Sequence, residues 1–270
     1  MKDKLIDKSL LIRISPLLKN AFLAKAMVKI AGLDKANRIY DAAKQFTGTA
    51  ATDALLAEMG ITCRTHHIEV LDRLAGRPFI TVSNHPYGHI DGIALIGEIA
   101  KVRPDFKVMV NWILQQIDIL EEFFIGVNPF TDGQFAVSSI GGVKACLEHL
   151  QGNHPLGLFP AGSVSKNVGH GKVHDRVWLP GVLKLIKQAA VPVVPVFISG
   201  NNSALFNFLD HFPWWVRNIR LCHELDNKHG QTIHLVFGDP IEPEVIREYD
   251  VQALGEFLQN ATYGLVSDEE

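Results

Sequence analysis

The rhythm of apolar and polar positions changes at residue 61. Over residues 1–60, Leu, Ala, Met, Lys and Ile dominate, β-branched runs are scarce, and Pro16 and Gly32 punctuate the stretch, a composition that predicts helices. Between residues 17 and 31 apolar side chains cover most of a helical circumference with Lys25 inside the apolar arc. Such a helix either packs on the rest of the chain or lies at a lipid interface with its lysines snorkelling. From residue 61 onward short β-rich runs take over. Residues 65–71 and 78–83, separated by the polar stretch 72–77, predict an antiparallel hairpin with a long loop. Strands are then expected at 107–111, 123–127, 155–159, 192–198 and 232–237, and helices at 91–102, 136–150 and 180–190, the last opening on Pro180. Val137, Ile140, Val143, Leu147 and Leu150 recur at steps of three and four, a stripe expected to face a sheet. Strands alternating with helices imply an α/β fold, a mostly parallel mixed sheet flanked by helices, with an N-terminal helical segment. The expected division is a helical, membrane-facing segment over 1–60 and an α/β domain over 61–270.

Composition narrows the classes of function. At 47% apolar and 20% charged residues the chain has material for a core and no signature of disorder. A net charge of −3 argues against a nucleic-acid partner. The charge is unevenly spread: residues 1–48 carry ten basic and four acidic side chains, and the remainder is acidic. A basic leader on an acidic body fits contact with anionic lipid headgroups, although a solvated helix face would look the same. Cys63, Cys146 and Cys222 form no C-x-x-C pair, so neither a disulfide framework nor a thiolate zinc site is expected, and a reducing cytoplasm is the simplest home. Lysines and arginines interrupt the N-terminal apolar stretch, and the longest uncharged run, 188–209, contains Pro192, Pro195 and Gly200. No segment is expected to cross a bilayer.

In open α/β sheets ligands lie beyond the carboxyl ends of strands. The loops expected there are polar and glycine-containing: 84–92 with Asn84, His85, His89 and Asp91, then 160–166, then 199–203. A histidine just past a strand, with an aspartate at the start of the next helix, is a recipe for a general base. The carboxylate fixes the imidazole tautomer and stabilises the imidazolium, and the free ring nitrogen takes a proton from a substrate hydroxyl standing where a serine protease has its serine.

The order and separation of Asn84-His85 with Asp91, Phe159-Pro160-x-Gly162, and the run Val191-Pro192-Val193-Val194-Pro195-Val196 resemble the conserved blocks of the glycerolipid acyltransferase superfamily, which includes the bacterial lysophosphatidate acyltransferases. The resemblance covers roughly 60–245. Gly200-Asn201-Asn202-Ser203 and Glu224-Leu225-Asp226-Asn227-Lys228 make it similar to the hemolysin-labelled subgroup whose members acylate ornithine and glycine lipids. The resemblance implies O-acyl transfer from acyl-CoA or an acyl carrier protein to the hydroxyl of a lysolipid at the inner face of the cell membrane. It implies His85 as base, Asp91 as its orienter, and substrate contacts from Asn84, Phe159, Pro160, Ala161, Gly162, Ser163, Gly200 and Asn201. No bound cofactor and no metal are implied. Amides of the turn formed by Ala161, Gly162 and Ser163 are the expected oxyanion donors. Five residues rather than four separate His85 from Asp91, which requires a bulged loop, and His89 stands where the subgroup has glycine. The family's phosphate-binding arginine has no counterpart in 126–132, and 161–164 lacks the usual Glu-Gly-Thr-Arg. Both departures favour an acceptor without a phosphomonoester.

Other readings compete for the same residues. His85, His89 and Asp91 could ligate a metal, completed by His154, His170 or His174, in a metal-dependent hydrolase. A non-catalytic, lytic or scaffolding membrane protein would explain the basic leader. No G-x-S-x-G elbow and no phosphate loop occur, and Ser163 and Ser165 read as turn caps. Asp175 and Trp178 read as a loop aspartate and a packed indole, with a place below the site as the family alternative. Phe206, Phe208, Phe212, Trp214 and Trp215 could line an acyl groove, touch lipid or pack in the core.

Overall fold

The computed structural model describes residues 32–127, 136–170, 172–211, 220–225 and 227–265. Among the described residues, two helices, α1 (Leu33–Ala43) and α2 (Gly48–Glu58), precede the sheet. Seven strands form it: β1 (Thr62–His66), β2 (Ile80–Ser83), β3 (Lys107–Asn111), β4 (Phe124–Val127), β5 (Leu156–Leu158), β8 (Val193–Ile198) and β9 (Thr232–Phe237), in the order β1-β9-β8-β2-β5-β3-β4. Every neighbouring pair is parallel except β8 with β9. A separate two-stranded antiparallel hairpin, β6 (Lys166–Gly169) and β7 (Lys172–His174), follows β5. The remaining helices are α3 (His89–Val102), α4 (Ala136–Gln151), α5 (Pro180–Ala189), α6 (Ala204–Phe208), α7 (Pro243–Glu248) and α8 (Val251–Tyr263). No described helix is long and apolar enough to cross a membrane.

The sheet is covered on both faces, which is why its central strands are apolar at nearly every position. Val194, Val196 and Ile198 of β8 join α1, α2 and α3 in one buried layer through Tyr40, Leu55 and Leu95. Val193, with Ile80 and Val82 of β2, faces the other layer, built with Cys146 of α4, Leu183 and Ile186 of α5, and Leu254 and Leu258 of α8.

Two expectations are corrected. The hairpin over 65–71 and 78–83 does not form: β1 spans Thr62–His66 and pairs with β9 at the sheet edge, with β9 and β8 lying between it and β2. His67, at φ 62, ends the strand and so does not alternate with His66 along it, and the apolar run beyond it coils into the 3₁₀ helix Ile68–Leu74. The expected α4 stripe holds only in its second half, where Leu150 is buried and Leu147 packs against the same layer. Cys146 and Leu150 are buried, whereas Ile140 is exposed and Val143 sits at the margin. Gly142 sets this face, since a β-carbon there would collide with the Gly126 carbonyl and Val127 on β4. Of the aromatic stretch, Phe206 is fully buried and Phe208 exposed; Phe212, Trp214 and Trp215 lie outside the described residues, as does 1–31 of the N-terminal segment.

Candidate active site

Strands β5, β2 and β8 are consecutive parallel neighbours, so the loops leaving their carboxyl ends start side by side. Long-range side-chain bonds then lock these loops together. Asn84 Nδ2 donates to the Ile198 carbonyl (2.8 Å) and the Ile198 amide donates to Asn84 Oδ1 (2.7 Å), so this buried amide extends the β2–β8 ladder beyond its last backbone pair. Asn202 Nδ2 donates to the carbonyls of Pro86 (3.0 Å) and Tyr87 (3.3 Å). The Ser165 amide donates to the His85 carbonyl (2.8 Å), tying the loop after β5 to the one after β2.

Within this frame His85 Nδ1 lies 2.9 Å from Oδ2 of Asp91. Asp91 is the third residue of α3, and the same Oδ2 accepts from the backbone amides of Tyr87 (2.9 Å) and Gly88 (2.8 Å), a carboxylate bound at a helix N-terminus. The five-residue separation closes into this contact because Gly88, at φ 93, turns the chain back in a conformation that side-chain-bearing residues avoid. The ring N–H is not aligned with the oxygen despite the short separation. Such contacts are commonly loose in unliganded sites and tighten on binding.

Burial divides the labour between the two groups. The Asp91 side chain is fully buried and that of His85 is 18% exposed, so the imidazole is the member of the pair that a bound molecule can reach. Burial pushes the Asp91 carboxyl above its ordinary range, opposed by the His85 contact and the two amides. Neighbouring His89 opens α3; burial and the adjacent His85 imidazole push its pKa down to about 4, so it is neutral at physiological pH. The Phe159 ring lies against the His85 imidazole, centroids 4.3 Å apart and planes inclined by 32°.

Behind the histidine sits a buried polar cluster whose members are dispersed along the sequence. Asp175 Oδ1 accepts from the His85 amide (3.2 Å) and from Ser165 Oγ (2.5 Å), and Oδ2 accepts from Trp178 Nε1 (3.1 Å). The Asp175 amide donates to Tyr263 Oη (2.7 Å), and the Tyr263 ring stacks on His174. Burial and the Asp175 charge push the Tyr263 phenol up, so it stays protonated. Asp175 thus fixes the backbone of the residue that carries the imidazole. Asp175 and Trp178 thus lie where the family resemblance placed them as the alternative to a loop aspartate and a packed indole, whereas Ser165, which read as a turn cap, and Tyr263 join them only through the fold.

A second clamp grips the loop from the β8 side. Glu224 and Lys228 form a buried ion pair (2.9 Å), and Glu224 also accepts from the Ser203 amide (2.9 Å), Ser203 Oγ (2.7 Å) and Asn227 Nδ2 (3.1 Å). Burial works to raise the Glu224 carboxyl, but the Ser203 amide, Lys228 and the Ser203 hydroxyl outweigh it and hold it below the usual range. The Lys228 ammonium lies 5.4 Å from the centre of the Tyr87 ring.

The structure therefore brings His85, Asp91 and Phe159 together. It places Asn84 and Gly200 as parts of the frame, with Asn84 spent on Ile198 and Gly200 packed under Tyr87. Asn201 Oδ1 accepts from Asn207 Nδ2 (2.8 Å). Pro160 and Ala161 are buried, and Gly162 and Ser163 are exposed at the tip of the turn. The Gly162 amide already donates to the Phe159 carbonyl (3.0 Å), so that member of the expected oxyanion set is occupied. Of the alternative metal ligands, His154 pairs with Asp105 (2.8 Å) at the amino-terminal edge of the sheet, away from His85, and His174 is stacked on Tyr263. Among the described residues no group of three or more His, Cys, Asp or Glu could hold a metal ion.

Known proteins share this arrangement of elements and sequence. A lyso-glycine lipid O-acyltransferase of Bacteroides thetaiotaomicron is 26% identical over 253 residues, covering 90% of each chain. A protein of the same name from Phocaeicola vulgatus is 26% identical over 192 residues, 68% of this chain and 67% of that one. Among solved structures, the 1-acyl-sn-glycerophosphate acyltransferase PlsC of Thermotoga maritima shares the fold with a TM-score of 0.52 and 16% identity, over 84% of this chain and 77% of that one. The acyltransferase family model matches residues 21–267, nearly the whole sequence, and the chain belongs to that family of enzymes.

Proposed function

We propose that this enzyme transfers a fatty acyl group from a thioester, acyl-CoA or acyl carrier protein, to the hydroxyl of a lysolipid of the amino-acid-headgroup type. The observation that carries the reading is the 2.9 Å approach of a partly exposed imidazole to a fully buried carboxylate at the carboxyl edge of the sheet. His85 Nε2 takes the proton of the acceptor hydroxyl as its oxygen attacks the thioester carbon, and Asp91 stabilises the imidazolium through Nδ1. The C–S bond then breaks, the thiolate takes the proton back from His85, and an ester and a free thiol leave. No acyl-enzyme step is needed, because holding hydroxyl and carbonyl together supplies much of the acceleration. The thioester supplies the activation, so the chemistry calls for no resident cofactor or metal.

The choice of acceptor is supported by the names of the two relatives and by the absence of arginine from residues 126–132. A phosphomonoester would want bidentate, charge-assisted recognition there. An acceptor anchored in a bilayer and the basic stretch 1–48 support work at the inner surface of the cell membrane without crossing it. The test is a transfer assay with purified full-length chain, lyso-glycine lipid and lysophosphatidate as acceptors, and acyl-CoA and acyl carrier protein as donors. The expected product is diacylated glycine lipid, lost in His85→Ala. Transfer to lysophosphatidate alone would overturn the acceptor, and unimpaired transfer by His85→Ala would overturn the mechanism.

A further inference from the structure

Immediately beyond the loop that holds the His85 carbonyl, the chain leaves the protein body as the β6–β7 hairpin, and here apolar side chains point outward. Val168 on β6 is 53% exposed, and Val177, just past β7, is 84% exposed. Helix α6 lies alongside β6. Its five residues turn Phe206 and Asn207 inward, while Leu205 and Phe208, three apart and on one face, are 50% and 56% exposed. An ion pair of 2.7 Å between Arg176 and Asp210 joins the Val177 stretch to the turn that follows α6, so the four apolar side chains are carried by segments tied to one another. Isolated exposed apolar residues are ordinary, but a cluster on adjoining segments marks a surface built to be covered.

Charge identifies what covers it. From residue 156 to 174 there is no acidic side chain, while Lys166 and Lys172 stand on the hairpin, neither of them paired to a carboxylate among the described residues. Apolar tips flanked by lysines match a bilayer carrying anionic lipid: the apolar groups enter the boundary between headgroups and acyl chains, and the ammonium groups meet phosphates. We infer that the β6–β7 hairpin, the Val177 stretch and α6 form the face by which the enzyme sits on an anionic lipid surface, with the mouth of the His85 site turned toward the acyl chains of its acceptor. The orientation rests on the proposed lysolipid reaction, whereas the docking itself is measurable without catalysis.

The experiment uses full-length protein and flotation on phosphatidylcholine vesicles and on mixed phosphatidylcholine–phosphatidylglycerol vesicles. Thermal melting and analytical ultracentrifugation run in parallel on every variant. Wild type is expected to prefer the anionic vesicles. Val177→Asp with Phe208→Asp is expected to weaken binding by about tenfold or more on anionic vesicles, with an unchanged melting temperature and unchanged turnover of a short-chain, freely dissolved lysolipid. Lys166→Glu with Lys172→Glu is expected to weaken the preference for anionic vesicles and its sensitivity to salt, the basic stretch 1–48 supplying what remains. Wild-type binding by both folded variants would overturn the inference. So would a wild-type dimer that the apolar substitutions dissociate, which would make the face a contact with a second copy. A wild type that binds vesicles through these residues but acylates nothing would overturn the proposed reaction and leave the docking face standing.

Discussion

The phenol of Tyr87 occupies the volume that a β-carbon on Gly200 would need, and Gly200 at φ 108 is in a backbone conformation that side-chain-bearing residues avoid. Gly200→Ala is therefore expected to cost about 2–3 kcal/mol by overpacking and backbone strain, and to lower activity by displacing the loop that carries His85. Adding Tyr87→Ala removes the hydroxyl and the ring carbons that all fall in that volume. Denaturant melts of the two single variants and the pair should show a loss in the pair smaller than the sum of the single losses, and strictly additive losses would refute the contact as the cause.

The imidazole and its carboxylate make separable contributions. His85→Ala and Asp91→Asn should each reduce kcat by about a thousandfold or more at saturating acceptor, with cooperative unfolding retained. His89→Gln should stay within about tenfold of wild type, because the proposed base is the other imidazole. If His89→Gln is the inactive variant, the assignment of the base moves.

Burial of neutral His89 couples stability to pH. The folded pKa, about 4, lies below the ordinary 6.5, so the unfolded chain binds the proton first. This contribution is complete above pH 6.5 and is lost as pH falls from 6.5 toward 4, by up to about 3 kcal/mol. Melting temperature should thus fall less steeply over that window in His89→Gln than in wild type. Parallel pH curves for the two proteins would contradict it.

Breaking the Glu224–Lys228 pair strands a buried charge. Lys228→Met should destabilise the protein by about 3–5 kcal/mol, and at a temperature where the variant is still folded its kcat should also fall, since Tyr87 loses the ammonium beside its ring and Glu224, which holds Ser203, is left as an unpaired buried charge. Adding Glu224→Gln to Lys228→Met should restore part of the stability. A double variant no more stable than Lys228→Met would show that the charge is not the source of the loss.

The parallel sheet was legible where strands are buried on both faces, because runs such as 192–198 are apolar at consecutive positions whichever side they face. Edge strand β1 was not, since Thr62–His66 is half-exposed and mixed in composition and the left-handed turn at His67 has no signature in a single sequence. The first half of the α4 stripe was misread because a glycine, Gly142, and not a large apolar residue makes the closest approach to β4. His85 and Asp91 were readable because both fall in one short loop. Asp175 and Trp178 were offered a place below the site only by the family resemblance, and Ser165 and Tyr263 by nothing, because only the folded chain makes neighbours of residues so far apart.

The reversal of β9 against β8 has a consequence for the order in which the enzyme becomes competent during synthesis. Running opposite to β8, β9 is entered from the edge where the catalytic loop lies, and this is how Glu224 and Lys228 reach Ser203 and Tyr87. The histidine and aspartate leave the ribosome early, but the latch that fixes their loop is translated more than a hundred residues later. A nascent chain stalled before residue 224 would display the reactive pair without the geometry to use it.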